Sequence, residues 1–250
     1  MLSFGIVAEG FTDQIVIDNL ITGFFGDVDE EPTVNYVQPL LDATGARGAP
    51  EPGGWGMVLK FLELGEHRRA LQFNDYLVLH VDTDVSEQKG FDVPHREEGR
   101  ELSVIELVTR VSEKLTGIIG AEFCAAHGDR LIFAVAVHGI ECWLLPLLYQ
   151  DNHARKITGC LNAANEARKK GGKTPLYTVV RKHVSKDPRS YQDVSRAYTK
   201  RKRLMALCDK NPSLALFVRQ LDRTITAAAP APSDPPADEA PATDSNAPEK

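Results

Sequence analysis

Short runs of consecutive apolar residues recur through the first 150 residues, and each run ends at a polar or glycine-containing segment. Strands that are covered on both faces of a parallel sheet have this pattern, because both of their faces must be apolar. These runs predict strands at about residues 4–8, 76–81 and 131–138, and we expect a further strand at about residues 33–39.

Between these runs, apolar residues are spaced three or four positions apart, which is typical of helices with one buried face. The spacing predicts helices at about residues 12–24, 55–71 and 101–119, and a further helix that begins near residue 139. Alternating strands and helices indicate an α/β fold with an open, mainly parallel sheet flanked by helices. The stretch 44–56 is rich in glycine and proline and is typical of a surface loop.

Beyond about residue 151 the strand signals vanish and the chain becomes polar, basic and helical in pattern. Residues 1–150 contain 10 Lys and Arg against 24 Asp and Glu, whereas residues 151–227 contain 18 against 6. We therefore predict an α/β domain at 1–150, a basic helical extension at 151–227 and a disordered Ala/Pro/Asp tail at 228–250. A basic half beside an acidic half favours a polyanionic partner such as nucleic acid.

The four cysteines, Cys124, Cys142, Cys160 and Cys208, include no C-x-x-C pair. This spacing indicates neither a disulfide framework nor a standard zinc site, and it favours a reducing, cytoplasmic setting. No stretch has the roughly 18 to 20 apolar residues that span a membrane, so we expect a soluble protein without a membrane partner.

Acidic residues follow two of the predicted strands, with Glu9 after the first and Asp82 and Asp84 after the third. In parallel sheets ligands bind beyond the carboxyl ends of the strands. Alternate side chains of an Asp-x-Asp segment can point the same way and share one hard cation, and Glu9 from a neighbouring strand can complete the site. Any one of these acids alone is commonly a loop or cap residue, but their combination predicts a site for Mg²⁺ or Mn²⁺.

Three segments resemble motifs of a known family. Glu9-Gly-Phe-Thr-Asp13 and Asp82-Thr-Asp84, each placed after an apolar strand, are similar to the TOPRIM motifs of topoisomerases, bacterial primases and overcoming-lysogenization-defect (OLD) nucleases. The segment His138-Gly-Ile-Glu-Cys-Trp-Leu-Leu145 resembles a Glu-x-Trp-x-Leu signature of small stand-alone TOPRIM-like proteins found near phage-defence genes. The resemblance covers residues 1–150 and implies a TOPRIM-like sheet.

The resemblance also implies roles for individual residues. Glu9 would be a metal ligand and the general acid or base, Asp82 and Asp84 would hold Mg²⁺, and Glu141 would bind a second cation. Two cations about 4 Å apart can activate a water molecule and stabilise the leaving oxygen of a phosphodiester. Some TOPRIM proteins carry a third acid two residues beyond the Asp-x-Asp pair, where this chain has Ser86, so the second cation stays open.

The basic extension supplies candidate contacts to a polyanion. Thirteen Lys or Arg lie between residues 168 and 203, interleaved with Tyr177, Tyr191 and Tyr198, which suits phosphate contacts and base stacking. A solvated basic face is the alternative explanation. Lys173, in a Lys-Lys-Gly-Gly-Lys turn, is the candidate for a lysine that reaches the scissile phosphate, and His80 is expected to be a buried sheet histidine.

Together these features predict a Mg²⁺- or Mn²⁺-dependent nuclease acting on DNA or RNA. The resemblance further implies that it is the effector of an anti-phage defence system, restrained by a regulatory protein from the same operon. Two alternatives remain open. The chain is either a non-catalytic TOPRIM-like module that binds nucleic acid or a protein partner, or a phosphohydrolase acting on a small nucleotide.

Overall fold

The structure is a computed structural model that describes residues 1–26, 31–40, 54–180 and 183–228. In chain order its strands and helices are β1 (Ser3–Val7), α1 (Phe11–Phe24), β2 (Thr33–Gln38), α2 (Trp55–Glu63), α3 (Glu66–Phe73), β3 (Tyr76–Asp82), β4 (Arg96–Glu97), β5 (Arg100–Glu101), α4 (Val104–Ile119), α5 (Ala121–His127), β6 (Leu131–Ala136), α6 (Glu141–Leu148), α7 (Cys160–Lys170), β7 (Tyr177–Val180), β8 (His183–Lys186), α8 (Pro188–Ser195), α9 (Arg201–Leu207) and α10 (Pro212–Ala228). Among the helices described, none is long and apolar enough to cross a membrane.

The central sheet has four strands in the order β2-β1-β3-β6, and every neighbouring pair is parallel. This confirms the predicted α/β class with a parallel sheet flanked by helices. The observed strands begin and end within two residues of the predicted positions. For β1, β3 and β6 the agreement is close because buried parallel strands need apolar residues on both faces, a requirement that is visible locally in the sequence.

Alternation along β3 divides its side chains between the two faces of the sheet. Leu77 and Leu79 pack in an apolar cluster with α2, α3 and α4. Val78 belongs to the opposite cluster, which includes α1 and α6. His80 and Asp82 have the same alternation as Val78, so both belong to the face that α1 and α6 cover.

The segment after residue 151 packs on that same face of the sheet and shares its core. Gly23 of α1 lies so close to this segment that an added Cβ would be 1.7 Å from the carbonyl oxygen of Tyr198. The Tyr198 hydroxyl donates a 2.6 Å hydrogen bond to the Trp143 carbonyl, and Trp143 Nε1 donates one of 2.8 Å to Ser213 Oγ. The basic extension is therefore packed into the α/β core.

The prediction that residues 151–227 contain no strands is wrong. Strands β7 and β8 pair antiparallel in a two-stranded hairpin. Each strand has four residues, which is too short for alternation to be distinguished from a polar helix in the sequence.

The predicted helix at 55–71 is observed as two helices, α2 and α3. Gly65 lies between them with a left-handed φ of 73°, a conformation that glycine adopts without the steric cost of a Cβ. Residues 44–53 of the predicted surface loop and residues 229–250 of the predicted tail lie outside the described residues.

The expectation of no disulfide is also wrong, because Cys142 and Cys160 form one. Their Cα atoms are 4.9 Å apart although they are separated by 18 positions in the chain. The pair links the first turns of α6 and α7, which pack against each other, so the spacing of cysteines in the sequence could not reveal it. The cytoplasmic setting stays a prediction.

Candidate metal centre

Three of the predicted acidic residues meet at the carboxyl edge of the sheet. Glu9 lies two residues beyond β1, Asp82 ends β3, and Glu141 begins α6 after β6. The backbone N–H of Asp82 donates a 2.7 Å hydrogen bond to Glu9 Oε1. A Cβ added at Gly139 would lie 3.5 Å from Asp82 Oδ2 and 3.1 Å from Glu141 Oε2, so both carboxylates border one gap that glycine leaves open.

Backbone hydrogen bonds join the segments that follow β3 and β6. The Ile140 N–H donates a 2.9 Å hydrogen bond to Asp82 Oδ1, and the His138 N–H donates one of 2.9 Å to Thr83 Oγ1. The Asp84 N–H in turn donates a 3.0 Å bond to the His138 carbonyl. These bonds fix the two loops to each other and orient the Asp82 carboxylate.

Asp84 lies at the same edge of the sheet, and this residue is exposed to solvent. Partial burial raises the pKa of its carboxyl group, and the negative charge of Glu141 raises it further. The ring of His138 lies beside it and contacts that of His95, with 5.3 Å between ring centroids. Asp84 is therefore within electrostatic range of the inner carboxylates while still open to solvent.

Asp13 is a fourth inner acid that the sequence pattern assigned only to the first turn of a helix. Its side chain is almost completely buried. A Cβ added at Gly10 would lie 3.2 Å from Asp13 Oδ2, so Gly10 allows the turn before α1 to pass close to the carboxylate. In the Glu-Gly-x-x-Asp segment, Glu9 and Asp13 thus both belong to this edge of the sheet.

Two residues of the basic extension reach the same place. Lys186 Nζ, at the end of β8, lies 2.8 Å from Glu141 Oε1 and 4.0 Å from Asp13 Oδ1. The Tyr191 hydroxyl on α8 also donates a hydrogen bond to Glu141 Oε1. The lysine that contacts these acids is therefore Lys186. Its identity was not apparent from the sequence, because nothing local distinguishes it from the other basic residues of the extension.

His80 is buried, as expected, but it is not an isolated core histidine. Its Nε2 lies 3.3 Å from Asp82 Oδ1, and among the residues that the structure describes no well-aligned hydrogen bond satisfies either ring nitrogen. Burial lowers the pKa of His80, but the carboxylates of Asp82, Asp13 and Glu9 outweigh this effect and the net shift is upward. A protonated His80 therefore offsets part of the negative charge of Asp82.

Burial dominates the titration of the other inner acids. It raises the pKa of Glu9 to about 8, with a further contribution from the charge of Asp82. It also raises the pKa of Asp82 to about 6, although His80 opposes this. Burial raises the pKa of Glu141 as well, but Lys186 and Tyr191 more than offset it, so the net shift is downward.

These shifts divide the acids into two groups. Glu141 is already neutralised by an ammonium group, whereas Glu9 and Asp82 lack sufficient compensating charge. Within the ranges described, no three Asp, Glu, His or Cys side chains are already arranged as ligands around one point. The oxygen donors gathered at this edge are nevertheless of the type that Mg²⁺ and Mn²⁺ prefer.

Other predicted site residues lie apart from the acids. Lys173 is exposed in the turn after α7, whereas the lysine that contacts these acids is Lys186. Ser86 is buried, and its hydroxyl donates to the Val93 carbonyl, so it does not line the gap. Tyr191 and Tyr198 are completely buried, so the expected stacking of bases on these two tyrosines is wrong.

Comparison of this chain with protein-family models, with curated proteins and with solved structures gives no match.

Proposed function

We propose that this chain is a divalent-metal-dependent nuclease with a TOPRIM-like catalytic domain. The observation that supports this most directly is the contact of Glu9 with Asp82 across two adjacent parallel strands, β1 and β3. These residues have the order, spacing and strand context of the TOPRIM acids. The partly buried, incompletely compensated carboxylates of Glu9 and Asp82 form a site whose charge a divalent cation would balance.

The donor set of carboxylate oxygens fits Mg²⁺ or Mn²⁺. In the proposed enzyme Glu9, Asp82 and Asp84 hold the cation, with Glu141 on the far side of the gap. When bound, the cation would polarise the scissile phosphate and lower the pKa of a water molecule. The Glu9 carboxyl has a pKa of about 8 in the metal-free protein, so binding of a cation near neutral pH should release its proton.

The basic extension provides a surface for the polyanionic substrate. Arg168 is excluded from it, because this side chain is buried and bonded to Asp193 and to the Thr174 carbonyl. The exposed basic side chains of the extension include Lys169, Lys170, Lys173, Arg189, Arg196, Lys200, Lys202 and Arg203. Because Tyr191 and Tyr198 are buried, we expect this surface to bind nucleic acid through contacts with phosphate charges more than through base stacking.

Cleavage assays with purified protein test the proposal. Plasmid DNA and RNA are incubated with Mg²⁺ or Mn²⁺ and the wild type, Glu9→Gln or Asp82→Asn. We expect cleavage by the wild type and a loss of at least about 100-fold in each variant, because each removes a charged metal ligand. Glu122→Gln, an exposed acid on α5, is the matched control and should retain full activity.

Two outcomes would favour the alternatives. Equal inactivity of the wild type and both variants, combined with equal binding to nucleic acid, would indicate a non-catalytic module. Hydrolysis of small nucleotides without cleavage or salt-dependent binding of long polymers would indicate a phosphohydrolase.

A role as an effector of anti-phage defence, with a protein partner from the same operon that restrains the nuclease, rests on the resemblance alone. Its test is expression in a bacterial host. The proposal expects that the wild type is toxic, that Asp82→Asn is not, and that co-expression of the neighbouring gene product relieves the toxicity.

A further inference from the structure

The environment of Glu141 differs from that of the other acids. Its Oε1 accepts hydrogen bonds from both Lys186 Nζ and the Tyr191 hydroxyl. A carboxylate oxygen has two lone-pair positions, so both positions of Oε1 are occupied. Only Oε2 remains for another ligand, and it faces the gap at Gly139 that Asp82 also borders.

Lys186 also lies where a cation held by both Glu141 and Asp13 would bind. A cation that used Glu141 and Asp13 as ligands would lie between them, and the Lys186 ammonium occupies that region, 2.8 Å from the first and 4.0 Å from the second. An Mg²⁺ ion needs carboxylate oxygens at about 2.1 Å and would be repelled by an ammonium group at this distance. The region is thus already filled by a positive charge.

The fold holds Lys186 in this position. The next residue, Asp187, donates its backbone N–H to the Leu176 carbonyl at 2.7 Å and caps α8 through a hydrogen bond from the Ser190 N–H. The Lys186 ammonium lies 5.7 Å from the centroid of the Tyr191 ring, within cation–π range.

Among the described residues, the Glu9 and Asp82 side of the centre has no lysine ion pair of this kind. In the part of the chain that the structure describes, no lysine or arginine forms an ion pair with Glu9, Asp82 or Asp84. His80 is the only basic side chain recorded in contact with Asp82 there. A divalent cation therefore has its strongest electrostatic attraction on this side of the gap.

We propose that the Lys186 ammonium takes the place of a second divalent cation, so that the centre binds one divalent cation per chain. This inference rests on the proposed metal site and specifies its composition. Glu141 binds the single cation through Oε2, and Glu141 Oε1 holds the Lys186 ammonium in position. The lysine side chain as a whole is about one-third exposed.

Titration of the metal-free full chain with Mn²⁺ alone tests the proposal, with free Mn²⁺ measured by electron paramagnetic resonance. We expect one bound Mn²⁺ per chain for the wild type and for Lys186→Arg, which keeps the charge. Lys186→Met should bind two, because Glu141 Oε1 and Asp13 become available. The double variant Lys186→Met/Glu141→Gln should return to one, and Lys60→Met, an exposed lysine on α2, should bind one.

Two bound Mn²⁺ in the wild type would overturn the proposal, and this result does not depend on whether Lys186→Met folds. A folded Lys186→Met that still binds only one Mn²⁺ would also overturn it. Both results are compatible with metal-dependent cleavage, so they leave the proposed nuclease standing. If the proposed metal site does not exist, the result is different, because the wild type will then neither bind Mn²⁺ nor cleave nucleic acid.

Discussion

The backbone N–H of Asp82 donates a 2.7 Å hydrogen bond to the side chain of Glu9, across the carboxyl ends of two adjacent parallel strands. The bond brings a partly buried glutamate next to a partly buried aspartate with little compensating charge. Such an arrangement is costly without a cation, since a buried carboxylate is disfavoured in its ionised form. Several measurable properties of the protein follow from this and from the packing around it.

The stability of the metal-free protein should fall as the pH rises from about 4.5 to about 8. The folded pKa of Glu9 is about 8 against an ordinary value of 4.5, so within this window the folded state keeps a proton that the unfolded state has lost. One pKa unit corresponds to about 1.4 kcal/mol, so the expected loss is a few kcal/mol. Asp82 acts in the same direction between 3.8 and about 6.

Thermal unfolding in EDTA over this pH range measures the effect. Glu9→Gln cannot ionise and should show a clearly weaker pH dependence, whereas the exposed Glu122→Gln should behave as the wild type. Added Mn²⁺ should restore stability at pH 8, because it binds the ionised form. A wild-type profile in EDTA as flat as that of Glu9→Gln would contradict the burial of a protonated Glu9.

Removing three charges from the basic extension should weaken nucleic-acid binding in a salt-dependent way. The variant Lys200→Gln/Lys202→Gln/Arg203→Gln removes up to three phosphate contacts. The slope of log K against log salt concentration should then become shallower by about 2 to 3, since each contact contributes roughly 0.7 to 0.9. Fluorescence anisotropy at several salt concentrations, with a labelled oligonucleotide and the metal withheld, measures this slope.

A matched variant removes three exposed charges elsewhere, Lys60→Gln/Arg69→Gln/Lys89→Gln on and near the helices of the other sheet face. It should retain the wild-type slope. Equal slopes for the two triple variants would mean that the basic extension is only a solvated surface.

Replacing Gly23 should destabilise the protein because α1 and the extension are in direct contact there. The methyl group of Gly23→Ala would overlap the Tyr198 carbonyl, whose oxygen is 1.7 Å from the position of the new Cβ. Overpacking of this kind costs about 1 to 3 kcal/mol. Urea unfolding measures the change.

Gly117→Ala in α4 is the control, because no atom of the described residues lies within 4 Å of its Cβ position. This substitution should stabilise the protein by about 0.5 to 1 kcal/mol. A neutral Gly23→Ala would show that the extension does not pack on α1.

Reduction of the Cys142–Cys160 disulfide should lower the free energy of unfolding. The bond closes a loop of 18 residues, for which the loss of chain entropy in the unfolded state corresponds to about 3 kcal/mol. Urea unfolding with and without dithiothreitol measures this difference. The variant Cys142→Ser/Cys160→Ser should be insensitive to dithiothreitol. A wild type that is equally insensitive would mean that the two thiols are not bonded in the folded protein.

The amino-acid sequence by itself determined the parallel sheet and the position of its principal acids. Buried parallel strands require continuous apolar runs, and a ligand site in such a sheet lies at the residues that follow them. Glu9 and Asp82 could therefore be placed at one edge before any contact was known. Both signals are local, since each depends on a few consecutive residues.

Only the tertiary structure decided which side chains share that edge. Lys186 and Tyr191 lie 45 and 50 positions beyond the Glu141 carboxylate that they bind, and the hairpin that carries Lys186 is too short to leave a periodic signal. The same reason applies to the disulfide and to the contact of Gly23 with Tyr198. These interactions depend on how α6, α7, α8 and the residues that follow them pack against the sheet, against α1 and against each other. Packing between segments that are distant in the chain leaves no periodic pattern in the sequence of either segment.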